Sequence, residues 1–165
     1  MTVREETSVD RPEVHAIHCA AFGRREEADL VDALRSEGVV LASLVAEAEH
    51  RLAGHILFSR MWIDTSAGSL PAASLAPLAV LPEFQRRGVG SELVQYGLDL
   101  LRKRGERIVI VLGDPCYYSR FGFSSGKARF FESPFPPEAF MALELNAGSL
   151  PPIRGKVRYP AAFRL

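Results

Sequence analysis

The sequence predicts an α+β fold (α/β by some schemes) in a single domain, residues 1–165. Three observations point there. Two short helical stripes occupy the first forty residues. Strand-like apolar runs fill most of Val39 to Val80, and the last of them leads through a glycine loop into a long amphipathic helix. A chain of 165 residues buries one sizeable core and leaves little room for a second domain.

Asp10 and Glu13 have capping-box spacing ahead of Val14, Ile17 and Ala21, so a first helix is expected to start at Asp10. Leu30, Val31 and Leu34 form the stripe of a second helix that ends at Gly38. Val39 to Ala48 reads as a strand, Glu49-His50-Arg51 as a polar turn, and Leu52 to Asp64 as a second strand. Thr65 to Ser69 is a small connector, and Ser74 to Val80 resumes an apolar strand. From Gly88 the positions Val89, Leu93, Gly97, Leu100 and Leu101 keep helical spacing. Arg102, Lys103 and Arg104 suit the negative end of that helix, and Gly105 stops it. Ile108 to Leu112 is apolar throughout, as a strand covered on both faces should be. Pro115 opens a short helix through Arg120. Phe121 to Phe123, Ala139 to Leu145 and Lys156 to Tyr159 are weaker strand signals.

Bulk composition excludes several classes. Twenty basic and twenty acidic residues give no electrostatic reason to expect nucleic acid or a membrane as partner. Cys19 and Cys116 do not form a disulfide framework or a zinc set. His15, His18 and Cys19 share a helix face but lack a fourth ligand, so no metal is expected. Met1 to Asp10 is too polar for a signal peptide, and no apolar run reaches the ~18 residues of a membrane span. A cytoplasmic setting is the expectation.

Gln85-Arg86-Arg87-Gly88-Val89-Gly90 joins the buried strand to the long helix. Gly88 and Gly90 allow close backbone approach, and the helix N-terminus offers free N–H groups and a positive dipole end. Arg86, Arg87 and the Ser91 hydroxyl add donors. Loop chemistry alone means an anion site. It is neither a dinucleotide fingerprint nor a P-loop.

With Leu78-Ala79-Val80-Leu81-Pro82 ahead of it, Gln85-x-x-Gly88-x-Gly90 resembles motif A of the GCN5-related N-acetyltransferase (GNAT) superfamily. Tyr118-Ser119-Arg120-Phe121-Gly122-Phe123 resembles its tyrosine-x-x-x-glycine-phenylalanine element. Pro77 to Val80 with Leu112-Gly113-Asp114-Pro115-x-Tyr117-Tyr118 is similar to the YhbS-like bacterial acetyltransferases. The resemblance covers roughly Val39 to Phe123. It implies a mixed, mostly antiparallel sheet of about seven strands, splayed between strands four and five and flanked by about four helices. Acetyl-CoA is the implied cosubstrate, held by Leu78, Ala79, Val80, Gln85, Arg86, Arg87, Gly88, Val89, Gly90, Ser91, Asp114 and Tyr118. Backbone groups of Leu78 and Val80 would pair with pantetheine, and Pro77, lacking an N–H, would help to keep that edge free.

The resemblance gives Tyr118 the role of general acid toward the leaving thiolate, with Tyr117 as runner-up because adjacent side chains point differently. A phenol of pKa about 10 can protonate a thiolate whose own pKa is about 8.5. A backbone N–H at Ala79 or Val80 would polarise the carbonyl. Many family members carry a glutamate near the start of the fourth strand. Ser74 and Leu75 stand there instead, leaving the base unassigned among Asp114, His55 and water. The expected reaction is direct transfer of acetyl to a primary amine of a small molecule or peptide. The alternative is a non-catalytic acyl-CoA-binding sensor module, and a nucleotide site on an unrelated fold is a third possibility. The aromatic cluster Phe130, Phe131, Phe135 and Phe140 reads as acceptor pocket or core. Pairing of two copies through the C-terminal strands would give a homodimer.

Overall fold

A computed structural model describes residues 1–165. The two early stripes become α1 (Arg11–Phe22) and α2 (Glu26–Glu37), which bury Val14, Ile17 and His18, and Ala28, Val31 and Leu34. Both end on left-handed glycines, Gly23 and Gly38. The cap of α1 differs from the expected Asp10–Glu13 box. A 3₁₀ turn, Ser8–Asp10, precedes the helix, and the box belongs to Thr7 and Asp10. The Asp10 carboxylate accepts from the Thr7 backbone N–H at 2.7 Å and from Arg4 at 2.8 and 2.9 Å.

The sheet comprises β1 (Thr2–Glu5), β2 (Val40–Ala48), β3 (Arg51–Thr65), β4 (Gly68–Val80), β5 (Ile108–Leu112), β6 (Phe131–Glu132), β7 (Phe140–Glu144) and β8 (Gly155–Arg158). Its order is β1-β2-β3-β4-β5-β7, with β8 against the far end of β3 and β6 beside β8. Only β4–β5 and β6–β8 are parallel. The eight strands differ from the seven expected at three places. Phe121 to Phe123 is not a strand, because Gly122 at φ +99° ends a 3₁₀ turn there. β1 and the two-residue β6 are additional. The connector Thr65 to Ser69 shrinks to a tight hairpin, in which Thr65 Oγ1 accepts from the Ala67 N–H at 3.1 Å. The C-terminal strand pairs within the chain, Trp62–Asp64 with Lys156–Arg158.

The long helix is α3 (Val89–Lys103), and α4 (Pro115–Tyr118) follows β5. Side-chain contacts assign the layers. A Cβ on Gly54 would meet Val89 and Leu93 at 3.1 Å, and one on Gly97 would come within 2.3 Å of the Phe58 ring. Gly54 and Phe58 therefore face α3. His55, one position on, points through the opposite face and meets His18 of α1. Thus α3 covers one side of β3 and β4, and α1 with α2 the other.

β4 and β5 are bonded only at Ala73–Val109 and Ser74–Ile110. Beyond Ser74, β4 runs on to Val80 paired with β3, and its other edge leaves β5. Pro77 lies within that free stretch and has no N–H to offer a neighbouring strand. This is the splay, and it opens beside the N-terminus of α3.

Candidate active site

From β4 the chain passes through a 3₁₀ turn, Pro82–Phe84, and enters α3 by two left-handed residues, Arg86 at φ +61° and Gly88 at φ +85°. Glycine adopts that backbone without penalty, whereas Arg86 does so at a cost that marks a constrained loop. Gly88 is the N-cap and supplies no side-chain acceptor, so the first N–H groups of α3 remain available. They open on a cavity of about 670 Å³. Its walls are Leu78 and Val80 of β4, the loop residues Phe84, Gln85, Arg86 and Gly88, then Val89, Gly90 and Ser91, and across it Asp114, Cys116, Tyr117 and Arg120.

Most of the residues expected to hold the coenzyme thus line one groove. Gln85 braces it by donating from Nε2 to the Val80 carbonyl at 3.0 Å. Arg86 has no carboxylate partner. Arg120 donates to the Tyr117 carbonyl at 3.2 Å and to Ser91 Oγ at 3.3 Å, and likewise meets no carboxylate. Two free guanidinium groups beside a helix N-terminus make a strong anion site. Asp114 caps α4, accepting from the Cys116 N–H at 2.9 Å, and its carboxylate is turned to that job on the groove side.

Three expected residues are elsewhere. Arg87 leans over the Phe84 ring, 5.0 Å from its centroid, and pairs with Glu49 at 2.7 Å. The side chain of Ala79 faces away, because it alternates with Leu78 and Val80 and lies opposite His55. The Tyr118 ring packs outside the groove wall, where a Cβ on Gly113 would come within 2.5 Å of it, and edge-on to Phe123 at 5.8 Å. Phe84, Cys116 and Arg120 are wall residues that sequence reasoning did not single out. The Arg120 signal was present in the tyrosine motif, at the third position from Tyr118.

The two tyrosine rings meet edge to face, with centroids 4.9 Å apart, and point to different neighbours. The Tyr117 hydroxyl stands 2.7 Å from where a Cβ on Gly90 would sit, beside the first turn of α3. Tyr118 lies by Gly113, where β5 ends at the splay. Its hydroxyl makes no hydrogen bond, yet it is absent from the sealed, unpartnered polar atoms, which are His18 Nδ1, Arg35 Nε and Ser59 Oγ. The hydroxyl therefore keeps contact with solvent while the ring is half-buried. Burial, with Tyr117 adding to it, pushes the phenol above its ordinary range, so it holds its proton throughout neutral pH.

On the opposite face, Ser74 is buried beside β3 and β5. His55 is fully buried, 2.8 Å from His18 and 2.7 Å from Ser43 Oγ, and desolvation holds it well below the usual histidine range. His15, His18 and Cys19 diverge: His18 turns inward, while His15 stays with Cys19 at 3.7 Å. Among the aromatics, Phe131 and Phe140 are core, Phe135 stacks on Phe140 at 6.3 Å, and Phe130 lies between Arg129 and Arg154. Phe131, Phe135 and Phe140 also flank a second cavity of about 590 Å³ that carries Glu132 and Glu138. No helix is long and apolar enough to cross a membrane.

Comparison with known proteins agrees with this geometry. The model of the acetyltransferase (GNAT) domain matches residues 2–126. YhbS of Escherichia coli K12, an uncharacterized N-acetyltransferase, is 34% identical over 99% of this chain and 98% of its own length. The crystal structure of E. coli YhbS in complex with CoA superposes with a TM-score of 0.89 at 32% identity, covering 99% of this chain and 92% of that one. A GNAT family acetyltransferase from Brucella melitensis in complex with acetyl-CoA gives 0.80 at 34% identity, over 98% and 97% of the two chains. The chain belongs to the GNAT acetyltransferase family.

Proposed function

We propose that this protein moves the acetyl group of acetyl-CoA directly to a primary amine of a small molecule or peptide. One observation carries the reading: the cavity over the α3 N-terminus, with its two unpaired arginines, runs to the free edge of β4 at the splay. A pyrophosphate fits the first part, with Arg86, Arg120 and the N–H groups of Gly88 to Ser91 around it. Pantetheine fits the second, as an added strand along Leu78 to Val80. The CoA and acetyl-CoA complexes of the two similar structures support the same ligand.

In the reaction the neutral amine attacks the thioester carbonyl, whose oxygen is polarised by a backbone N–H at Ala79 or Val80. The nitrogen–carbon bond forms and the carbon–sulfur bond breaks. The departing thiolate takes the proton of a tyrosine, and the proton that the nitrogen loses on becoming an amide restores the phenol. The position of Tyr118 at the splay favours it for that role. Tyr117, whose hydroxyl stands beside Gly90 and whose ring touches that of Tyr118, is the alternative donor.

The test combines calorimetry of acetyl-CoA, CoA and ATP with thiol release across a panel of primary amines and peptides. Tight acetyl-CoA binding with thiol release for at least one amine is the expected result. Tight binding with no release for any acceptor would instead favour the acyl-CoA sensor. A preference for ATP over CoA would remove both.

A further inference from the structure

A line of four polar side chains crosses the face of the sheet opposite the coenzyme groove. Glu6, just after β1, accepts from Ser43 Oγ of β2 at 2.8 Å. Ser43 Oγ lies 2.7 Å from His55 Nε2 of β3, and His55 Nδ1 lies 2.8 Å from His18 Nε2 of α1. Glu6 is also paired with the Arg35 guanidinium of α2, so it is the anion of the line and can only accept.

That anchor fixes the direction of every link. Ser43 gives its one hydroxyl hydrogen to Glu6 and must accept from His55, which therefore carries its proton on Nε2. His55 Nδ1 then holds a lone pair and accepts the Nε2–H of His18. The last atom, His18 Nδ1, holds a lone pair as well. It is sealed from solvent and has no partner, although buried polar atoms are nearly always paired.

His55 stands opposite Ala79, the residue between the two groove-lining side chains of the free β4 edge. The line thus runs behind the free stretch of β4 and ends on α1, which packs against β3 and β4. The imidazole of His18 stacks in parallel on Phe22, in the last turn of α1, and Phe22 is exposed. β4 itself carries Ser74 where a family carboxylate is expected.

We propose that this line is the proton acceptor of the reaction, with His18 Nδ1 taking the proton that the acceptor amine sheds. The role rests on the acetyl transfer proposed above. As the ammonium loses its proton to Nδ1, the Nε2–H of His18 passes to His55 Nδ1. The Nε2–H of His55 passes to Ser43, and the Ser43 hydrogen passes to the Glu6 carboxylate. The freed nitrogen pair then attacks the thioester. One proton enters at Nδ1 and one arrives at Glu6, so neither imidazole stays cationic. Burial opposes such a cation, holding His18 down to about 4 against the pull of Glu27. The other charged or titratable groups around the pair are Arg35 from α2, His15 from α1 and Asp10 ahead of α1. For an amine to reach the sealed Nδ1, the exposed Phe22 ring has to swing off the imidazole on which it stacks.

Two measurements test this. In the wild-type protein with ¹⁵N-labelled histidine, long-range proton–nitrogen spectra at pH 7.5 should show His18 and His55 neutral with hydrogen on Nε2. A hydrogen on Nδ1 of either overturns the proposal. The second compares His18→Gln with wild type, using the amine that releases thiol in the panel. Glutamine can still donate to His55 but has no basic nitrogen. At pH 7 its turnover should fall about 100-fold. The gap should close to under about tenfold near pH 10, where an alkylamine of pKa about 10.4 is partly neutral unaided. A gap that is constant with pH, or no gap, overturns the proposal and leaves acetyl transfer standing. Ser43→Ala, which cuts the line short of Glu6, should show a smaller gap with the same pH trend, and it serves if His18→Gln fails to fold. Wild-type protein that binds acetyl-CoA but releases thiol with no amine removes acetyl transfer and the proton acceptor together.

Discussion

On the α3 face, most groups that would meet a ligand come from one stretch of chain, Leu78 to Ser91, and much of the work falls to backbone: a free strand edge, two left-handed turns and a helix N-terminus. On the α1 face, the polar line draws Glu6, His18, Ser43 and His55 from four places in the chain, and side chains alone make it. The first region is exposed, cationic and locally encoded. The second is interior, neutral at its active end and encoded only by tertiary packing. A ligand shared by a whole family can be held by backbone that tolerates substitution around it. Proton handling for one acceptor depends on individual side chains.

The contrast can be broken from the coenzyme side first. Arg86→Ala combined with Arg120→Ala should weaken acetyl-CoA binding by about 100-fold, roughly 3 kcal/mol, since each charged contact to phosphate is worth about 1.5–3 kcal/mol. Thermal stability should hardly change, because neither arginine is paired with a carboxylate. Arg87→Ala, which gives up only Glu49, should cost less than about tenfold in the same titration. Equal losses for the double variant and for Arg87→Ala would mean that the groove walls are misassigned.

Acid separates the regions next. The folded-state value of His18, about 4, lies below its ordinary 6.5, so the unfolded chain takes up the proton first as pH falls. Stability is lost between about pH 6.5 and 4, by about 2 kcal/mol from pH 7 to 5 for His18 alone, and His55 acts in the same direction. Chemical unfolding at the two pH values measures it, and a flat response would place both histidines in water.

The smallest effect concerns the cap of α1. Asp10→Ala should cost about 1 kcal/mol at pH 7 by removing the acceptor of Thr7 and Arg4. Its hydrogen bonds to Arg4 hold the Asp10 carboxyl below the usual range, so that contribution is present at neutral pH and fades below about pH 4. Glu13→Ala should leave the cap unchanged.

What could be read in advance follows the same division. Gln85 to Gly90 and the flanking strand and helix were legible because their chemistry is contiguous and their periods are clean. Tyr118 was legible as a motif member, but its phase relative to Tyr117 was not, since that depends on how α4 docks on Gly113 and Gly90. β1 was missed because its four residues, Thr-Val-Arg-Glu, include a single apolar side chain and are half-buried at best. Phe121 to Phe123 misled through its aromatics, while Gly122 set the backbone. Of the polar line only His55 stood out, as one of several candidate bases, and its connection to the other three left no signal. His18 and His55 are 37 residues apart, and a histidine on an apolar helix face reads as an ordinary half-buried position.

The central claim is that the coenzyme groove and the splay together perform acetyl transfer, and Tyr118→Phe tests it most directly. Measured against the amine that wild type acetylates, with acetyl-CoA affinity followed by calorimetry in parallel, the variant should bind acetyl-CoA within about twofold of wild type. It should release thiol about 100-fold or more slowly, the usual contribution of a general acid. Undiminished thiol release with intact binding would contradict the assignment of Tyr118 and shift the leaving-group proton to Tyr117 or to solvent.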